Sequence, residues 1–429
     1  TTATVNGSFL GIGNGTTTAF TSTLNVQSGA TVNVGTTASR SGEIQIGRTG
    51  ASNGTLNVTG GAVTIGTGST ANQIYLFKSG ATAGYTATMT QSGGSVTANG
   101  IQFGGSTGTY DAASSATLQL SGGSLYVGAQ GITRGAGASA LPATIQLQGG
   151  TLGASGAWSS SMDMKLGTAT IRAANSGGTA QNITLSGVLS DDVGTGTLTK
   201  TGTGTLTLSG SSDNTYTGAT TVNAGTLDLG KVNAVSSSSS VTISNGAGLA
   251  LSSSSSTIPN LTFSGSGALS FNVADGYSLT VSGTNGVTNS GAAGSITINI
   301  TGSAPANGTY TLIGYSGALP GSGFSAYTPR SAPAGKSYAL IDTGSAVQLV
   351  VSSAYTWSGA QSSEWSTSVI SGSKNWILDG SPADYANGLA VFFDDTAANK
   401  TVEITGADVT PQTVEFSSGV YTLQGGNKI

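Results

Sequence analysis

The chain has no cysteine and no histidine. Without thiols there is no disulfide framework and no thiolate metal site. Without imidazole the commonest zinc sites and histidine-based acid–base or nucleophilic catalysis are excluded. Charge is also scarce. Only 7% of the 429 residues are Asp, Glu, Lys or Arg, against roughly 25% in an ordinary soluble domain. The net charge is −4 with 13 scattered basic residues, which argues against a nucleic-acid partner, because that needs a clustered basic surface. No apolar run approaches the roughly 18 residues that a membrane-spanning helix requires.

Proline is unevenly missing. Of its eight prolines, only Pro142 and Pro259 precede residue 300. A proline in a central strand removes a ladder hydrogen bond, so its absence is what a long sheet wall demands. Glycine is abundant, at 69 residues, more than twice the usual share of roughly 7%. Such a composition is compatible with disorder, but the apolar residues alternate with small polar ones in short runs, which marks ordered β structure.

One phrase recurs. Thr55-Leu56-Asn57-Val58-Thr59-Gly60-Gly61 returns as Thr88-Met89-Thr90-Gln91-Ser92-Gly93-Gly94, as Thr117-Leu118-Gln119-Leu120-Ser121-Gly122-Gly123, and as Thr144-Ile145-Gln146-Leu147-Gln148-Gly149-Gly150. Leu56, Met89, Leu118 and Ile145 are separated by 33, 29 and 27 residues. A drifting period of this size means stacked supersecondary units, each burying its apolar face on its neighbours. Three short strands fill each unit, for example Glu43-Ile44-Gln45-Ile46, Thr55-Leu56-Asn57-Val58 and Ala62-Val63-Thr64-Ile65. The sequence therefore predicts an all-β fold, a three-faced parallel β-solenoid with aliphatics inward, Thr, Asn and Gln outward, and glycine at the corners.

Residues 1–300 read as this solenoid. Two serine tracts, 236–240 and 252–256, are expected as loops leaving its corners. Residues 301–352, richer in proline, read as a β cap or connecting element, with Tyr310–Ile313 and Ala346–Val351 as antiparallel strands. Residues 353–429 hold Trp357, Trp365 and Trp376 and read as the start of a second solenoid, with the tryptophans covering its first face. The opening residues are not a signal peptide, and residues 421–429 read as the middle of another repeat, so the chain is expected to be a piece of something longer.

Residues 196–229 carry a specific order: Leu198-Thr199-Lys200-Thr201-Gly202, Leu206-Thr207-Leu208-Ser209-Gly210, Asn214-Thr215-Tyr216-Thr217-Gly218 and Val222-Asn223-Ala224-Gly225-Thr226-Leu227. This stretch resembles the autotransporter-associated β-strand repeat of bacterial surface proteins. The resemblance implies a right-handed parallel β-helix, export, and a place at the bacterial cell surface or outside the cell. It implies no catalytic residue, and no terminal membrane barrel of the kind such proteins carry is expected within these 429 residues.

Polysaccharide lyases and glycoside hydrolases built on a β-helix are the rival class. Their sites need converging carboxylates. Residues 1–190 hold only Glu43, Asp111 and Asp163, at unrelated points of the repeat, and the pair Asp191-Asp192 belongs in a turn. Asp394 and Asp395, with Asp379 or Asp384, offer oxygen ligands for calcium, but the glycine-rich nonapeptide array of calcium β-rolls is absent, so a solvated turn is the expectation. No catalytic residue, cofactor site or metal site is assigned. The reading is a secreted, non-catalytic adhesin, matrix or filament subunit. Its expected partners are other copies of itself, end to end or side by side, and a surface glycan or similar ligand.

Overall fold

The structure, a computed structural model, describes residues 2–5, 9–13, 20–35, 42–48, 52–66, 72–81, 84–235 and 237–429. Among these the only helix is the short 3-10 turn Gly323–Ala326, and everything else of regular structure is strand. The chain forms two compact units, residues 1–270 with 279–296 and 315–326, and residues 271–278 with 297–314 and 327–429.

The first unit is built from parallel ladders. In one, Leu56 pairs with Met89, Met89 with Leu118, and Leu118 with Ile145. All four are buried. In a second, Leu10, Ile44, Ile74, Ile101 and Ile132 stand in register. In a third, Val32, Val63, Val96, Leu125, Leu152 and Ile171 form one row. The physical cause is the two-residue period. Strands such as Ser52–Val58 alternate buried and half-buried positions, so one set of side chains meets the set one turn away. Burying one such aliphatic is worth about 1.5–3 kcal/mol.

Gly-Gly corners let the turns stack. Gly94 has φ +61°, and a Cβ there would lie 2.0 Å from the Gly61 carbonyl oxygen. Side chains on both counts are excluded, and backbone packs directly on backbone. The corner does not always end a strand. Thr86–Phe103 and Ser115–Arg134 run on as single strands through Gly93-Gly94 and Gly122-Gly123, where the sequence reads three separate strands. The ladder bonds persist through the bend, with register shifts at the glycines.

Residues 237–240 and 252–255 of the serine tracts are loop, as expected, with Ser237, Ser239, Ser252, Ser253 and Ser255 exposed. Ser236 lies outside the described residues. Ser238, Ser254 and Ser256 are buried, and Ser256 opens the strand Ser256–Ile258. The Ser238 hydroxyl donates to the carbonyls of Gly218 and Ser240. Small hydroxyls fit where the turns are too close for anything larger.

In the second unit, Gly308–Ser316 and Lys336–Asp342 each pair antiparallel with Ala346–Trp357, with Tyr310 opposite Leu349 and Leu340 also opposite Leu349. Further along, the pairing becomes parallel: Tyr355 meets Val391, Val391 meets Val414, and Trp365 meets Ile404. Trp357, Trp365 and Trp376 are buried with Tyr355, Tyr385 and Phe393 around them. Ring centroids lie 5.0 Å apart for Trp357–Trp376 and 5.1 Å for Trp365–Trp376, both edge to face.

Candidate functional site

Strand alternation sets what the first unit shows to solvent. Beside the third apolar row runs an outward row: Thr151, Thr170, Thr199, Thr221, Thr242, Thr262 and Thr288, each paired with the next. Neighbouring strands are roughly 4.8 Å apart, so this is a regular file of hydroxyls and methyls. Thr288 donates its hydroxyl hydrogen to the Thr262 hydroxyl at 2.8 Å. Flanking positions are amide and hydroxyl too, with Ser244 donating to the Asn223 side chain at 2.9 Å.

The carboxylates of this unit do not converge. Glu43 accepts from the Lys78 ammonium at 2.6 Å. Asp111 accepts the amide of Ala113 two residues on, a local turn bond. Asp163 accepts the Val188 amide at 2.7 Å. Asp191 ends the strand Leu189–Asp191 and takes the Gly196 amide together with the amide and hydroxyl of Thr217. Burial works to raise its pKa, but these donors outweigh it and hold the carboxyl below the ordinary range. Asp192 turns to other partners, the side-chain amides of Gln146 and Gln148. Apart from the local turn at Asp111, each acid ties one turn of the chain to another.

The repeat-like stretch contains the unit's unusual chemistry. In the third row Ile171 is followed by Lys200, and Lys200 by Val222, Ile243 and Phe263. A lysine therefore occupies an inward, fully buried position. Its ammonium donates to the carbonyls of Gly202 at 2.6 Å, Ala224 at 2.7 Å and Thr201 at 3.2 Å. Burial pushes its pKa down to about 8. The signal was in the sequence: Leu198, Lys200 and the outward Thr199 alternate, which places Lys200 in phase with the core.

Nearby, buried Asn214 accepts the Leu189 amide at 2.9 Å and donates to the Ala234 carbonyl at 2.8 Å. Buried Lys231 donates to the Asn214 carbonyl oxygen at 2.8 Å, and burial lowers its pKa. Tyr216, wholly buried, shares a 2.7 Å hydrogen bond with Thr220. Burial raises its pKa. Asn214 and Lys231 thus satisfy backbone groups of neighbouring turns, Lys231 also donating to the Gly187 carbonyl at 3.3 Å.

In the second unit the aspartates considered for calcium have their own cations. Asp379 pairs with Lys336, Asp384 with Lys374 and Asp395 with Lys400, each at 2.7 Å. Asp394 accepts the amide and hydroxyl of Thr396. Hydrogen bonds from Lys374 and Lys400 hold Asp384 and Asp395 below the ordinary carboxylate range. At Asp379 burial opposes that direction, and Lys336 with Ser353 outweighs it. No group of three or more carboxylates that could hold a metal ion gathers among the described residues. The three tryptophans are core side chains, with the Trp357 indole donating to the Asn399 carbonyl at 2.7 Å, so none offers a face to a sugar.

Residues 198–229 match the family model of the passenger-associated-transport-repeat. This is an autotransporter passenger-type repeat, and the match is confined to that short stretch. No curated protein and no solved structure matches the chain.

Proposed function

We propose that this is a secreted, non-catalytic structural or adhesive protein of the bacterial surface, and that its first unit winds as a right-handed, three-faced β-solenoid. The observation that carries the reading is the passenger-associated-transport-repeat lying within a stack of parallel ladders whose outward row is uncharged threonine. A wall of hydroxyls and amides suits spacing and contact rather than chemistry. Support for a non-catalytic role comes from the carboxylates of the first unit considered above, which accept turn-to-turn bonds, a lysine pair or, at Asp111, a local turn bond, and do not converge.

Self-association belongs to the same proposal. Strands Val414–Phe416 and Thr422–Gly425 pair with Ala390–Phe393 and Thr401–Ile404, and Phe416, Val420 and Leu423 are exposed large apolar residues. Exposed apolar groups beside strand edges favour association with further β structure.

The test is display. Expressed with an export signal in a bacterium, the chain should be cleaved by protease added to intact cells and seen by antibody without permeabilisation. Electron microscopy of the purified chain should show elongated particles or filaments. Retention inside the cell, or cleavage of a polysaccharide by the pure protein, would overturn the proposal.

A further inference from the structure

We propose that a groove in the second unit binds a short neutral saccharide. The groove has a volume of about 660 Å³ and lies between residues 329–339 and the strands around Phe392 and Glu415, a size within the usual range of about 300–1,000 Å³ for ligand sites. Its floor is one cross-strand row: Thr356 pairs with Phe392, and Phe392 with Glu415. Val391 and Phe393 are buried, so by alternation Phe392 faces the other way and lines the groove. An aromatic ring stands where the outward rows of the first unit carry threonine.

The polar groups around that ring are available. Arg330, Thr356, Gln412 and Glu415 line the groove and have no side-chain hydrogen-bond or ion partner among the described residues. Lys336 and Asp394, also in the lining, are already engaged with Asp379 and Thr396. The lining carries two cations, Arg330 and Lys336, and two carboxylates, Asp394 and Glu415, so its formal charge is zero, with the Arg330 guanidinium and the Glu415 carboxylate free to meet a ligand. It disfavours polyanions and polycations alike. A guanidinium fork donates and a carboxylate accepts, which suits neighbouring sugar hydroxyls. The Phe392 face supplies apolar contact for the C–H side of a pyranose ring.

This inference rests on the surface reading above only in that display would bring glycans within reach. Its test is independent. The full chain would be examined by saturation-transfer NMR with cellotriose, mannotriose and triacetylchitotriose at millimolar concentration. Saturation transfer to at least one is expected, with affinity falling 10-fold or more in Arg330→Ala and in Glu415→Gln. Both positions are exposed, and an unchanged melting temperature would confirm that the fold survives. A third variant, Phe392→Leu, keeps apolar bulk and should lose the ring-proton transfer. No transfer to any of the three, equal affinity in both charge variants, or stronger binding of heparin than of all three would each refute the site. Surface display unaffected by Arg330→Ala would leave the earlier proposal standing whichever way the NMR falls.

Discussion

The Lys200 ammonium donates to the Ala224 carbonyl at 2.7 Å across 24 residues of sequence, and so pins one turn of the stack to the next from inside the core. A charge in a row of aliphatics is tolerable only because its hydrogens meet carbonyls. Lys200→Met keeps the packing volume and orphans those carbonyls. It should destabilise the first unit by about 1–3 kcal/mol, read by chemical denaturation.

The same residue sets a pH dependence. Its folded pKa, about 8, lies below the ordinary 10.5, so the unfolded chain holds more protons between those values. Stability contributed by this site is lowest below pH 8 and rises as pH climbs toward 10.5. Unfolding free energies of the wild type and Lys200→Met, compared across that window, should diverge in the wild type's favour. Parallel curves would contradict the assignment.

Corner glycines should divide into two kinds. Gly94→Ala puts a Cβ 2.0 Å from the Gly61 oxygen at φ +61°, whereas Gly29→Ala at φ +77° meets nothing within 4 Å. The first must force two turns apart and should cost well over the roughly 1–3 kcal/mol of backbone strain alone. The second should cost only that strain. Melting temperatures of the two variants decide it.

Acid should loosen the fold late. Asp191, Asp379, Asp384 and Asp395 are held below the ordinary 3.8. Their stabilisation is present above that value and is lost as pH falls through the depressed folded pKa values. The melting temperature should therefore hold down to about pH 4 and drop below it, with a shallower drop in Asp191→Asn. A loss beginning near pH 6 would implicate other groups.

Much of this architecture was legible because the chain repeats itself. Leu56, Met89, Leu118 and Ile145 share a phrase, and a shared phrase at a shared period can only stack. The glycines were legible as corners but not as continuous ladder, because nothing local distinguishes a bent strand from two strands. The serine tracts were legible as loops, but the burial of Ser238, Ser254 and Ser256 within or beside them was not, because it depends on the adjoining turns. The strand Lys336–Asp342 was not read, because a hairpin arm without a repeat has no second copy to betray it. Phe392 and Glu415 were invisible as a pair, being 23 residues apart in sequence and joined only by register.

The first unit is held together by parallel strands in register, one turn above another. The absence of cysteine makes that directly measurable. Thr199 and Thr221 are register partners, as are Thr221 and Thr242. Partners on adjacent strands are within reach of a disulfide, whereas residues two strands apart, at roughly 9.6 Å, are not. The double variant Thr199→Cys with Thr221→Cys should close an internal disulfide under mild oxidation, and Thr199→Cys with Thr242→Cys should keep free thiols. Cross-linking in the second pair but not the first would contradict the stack.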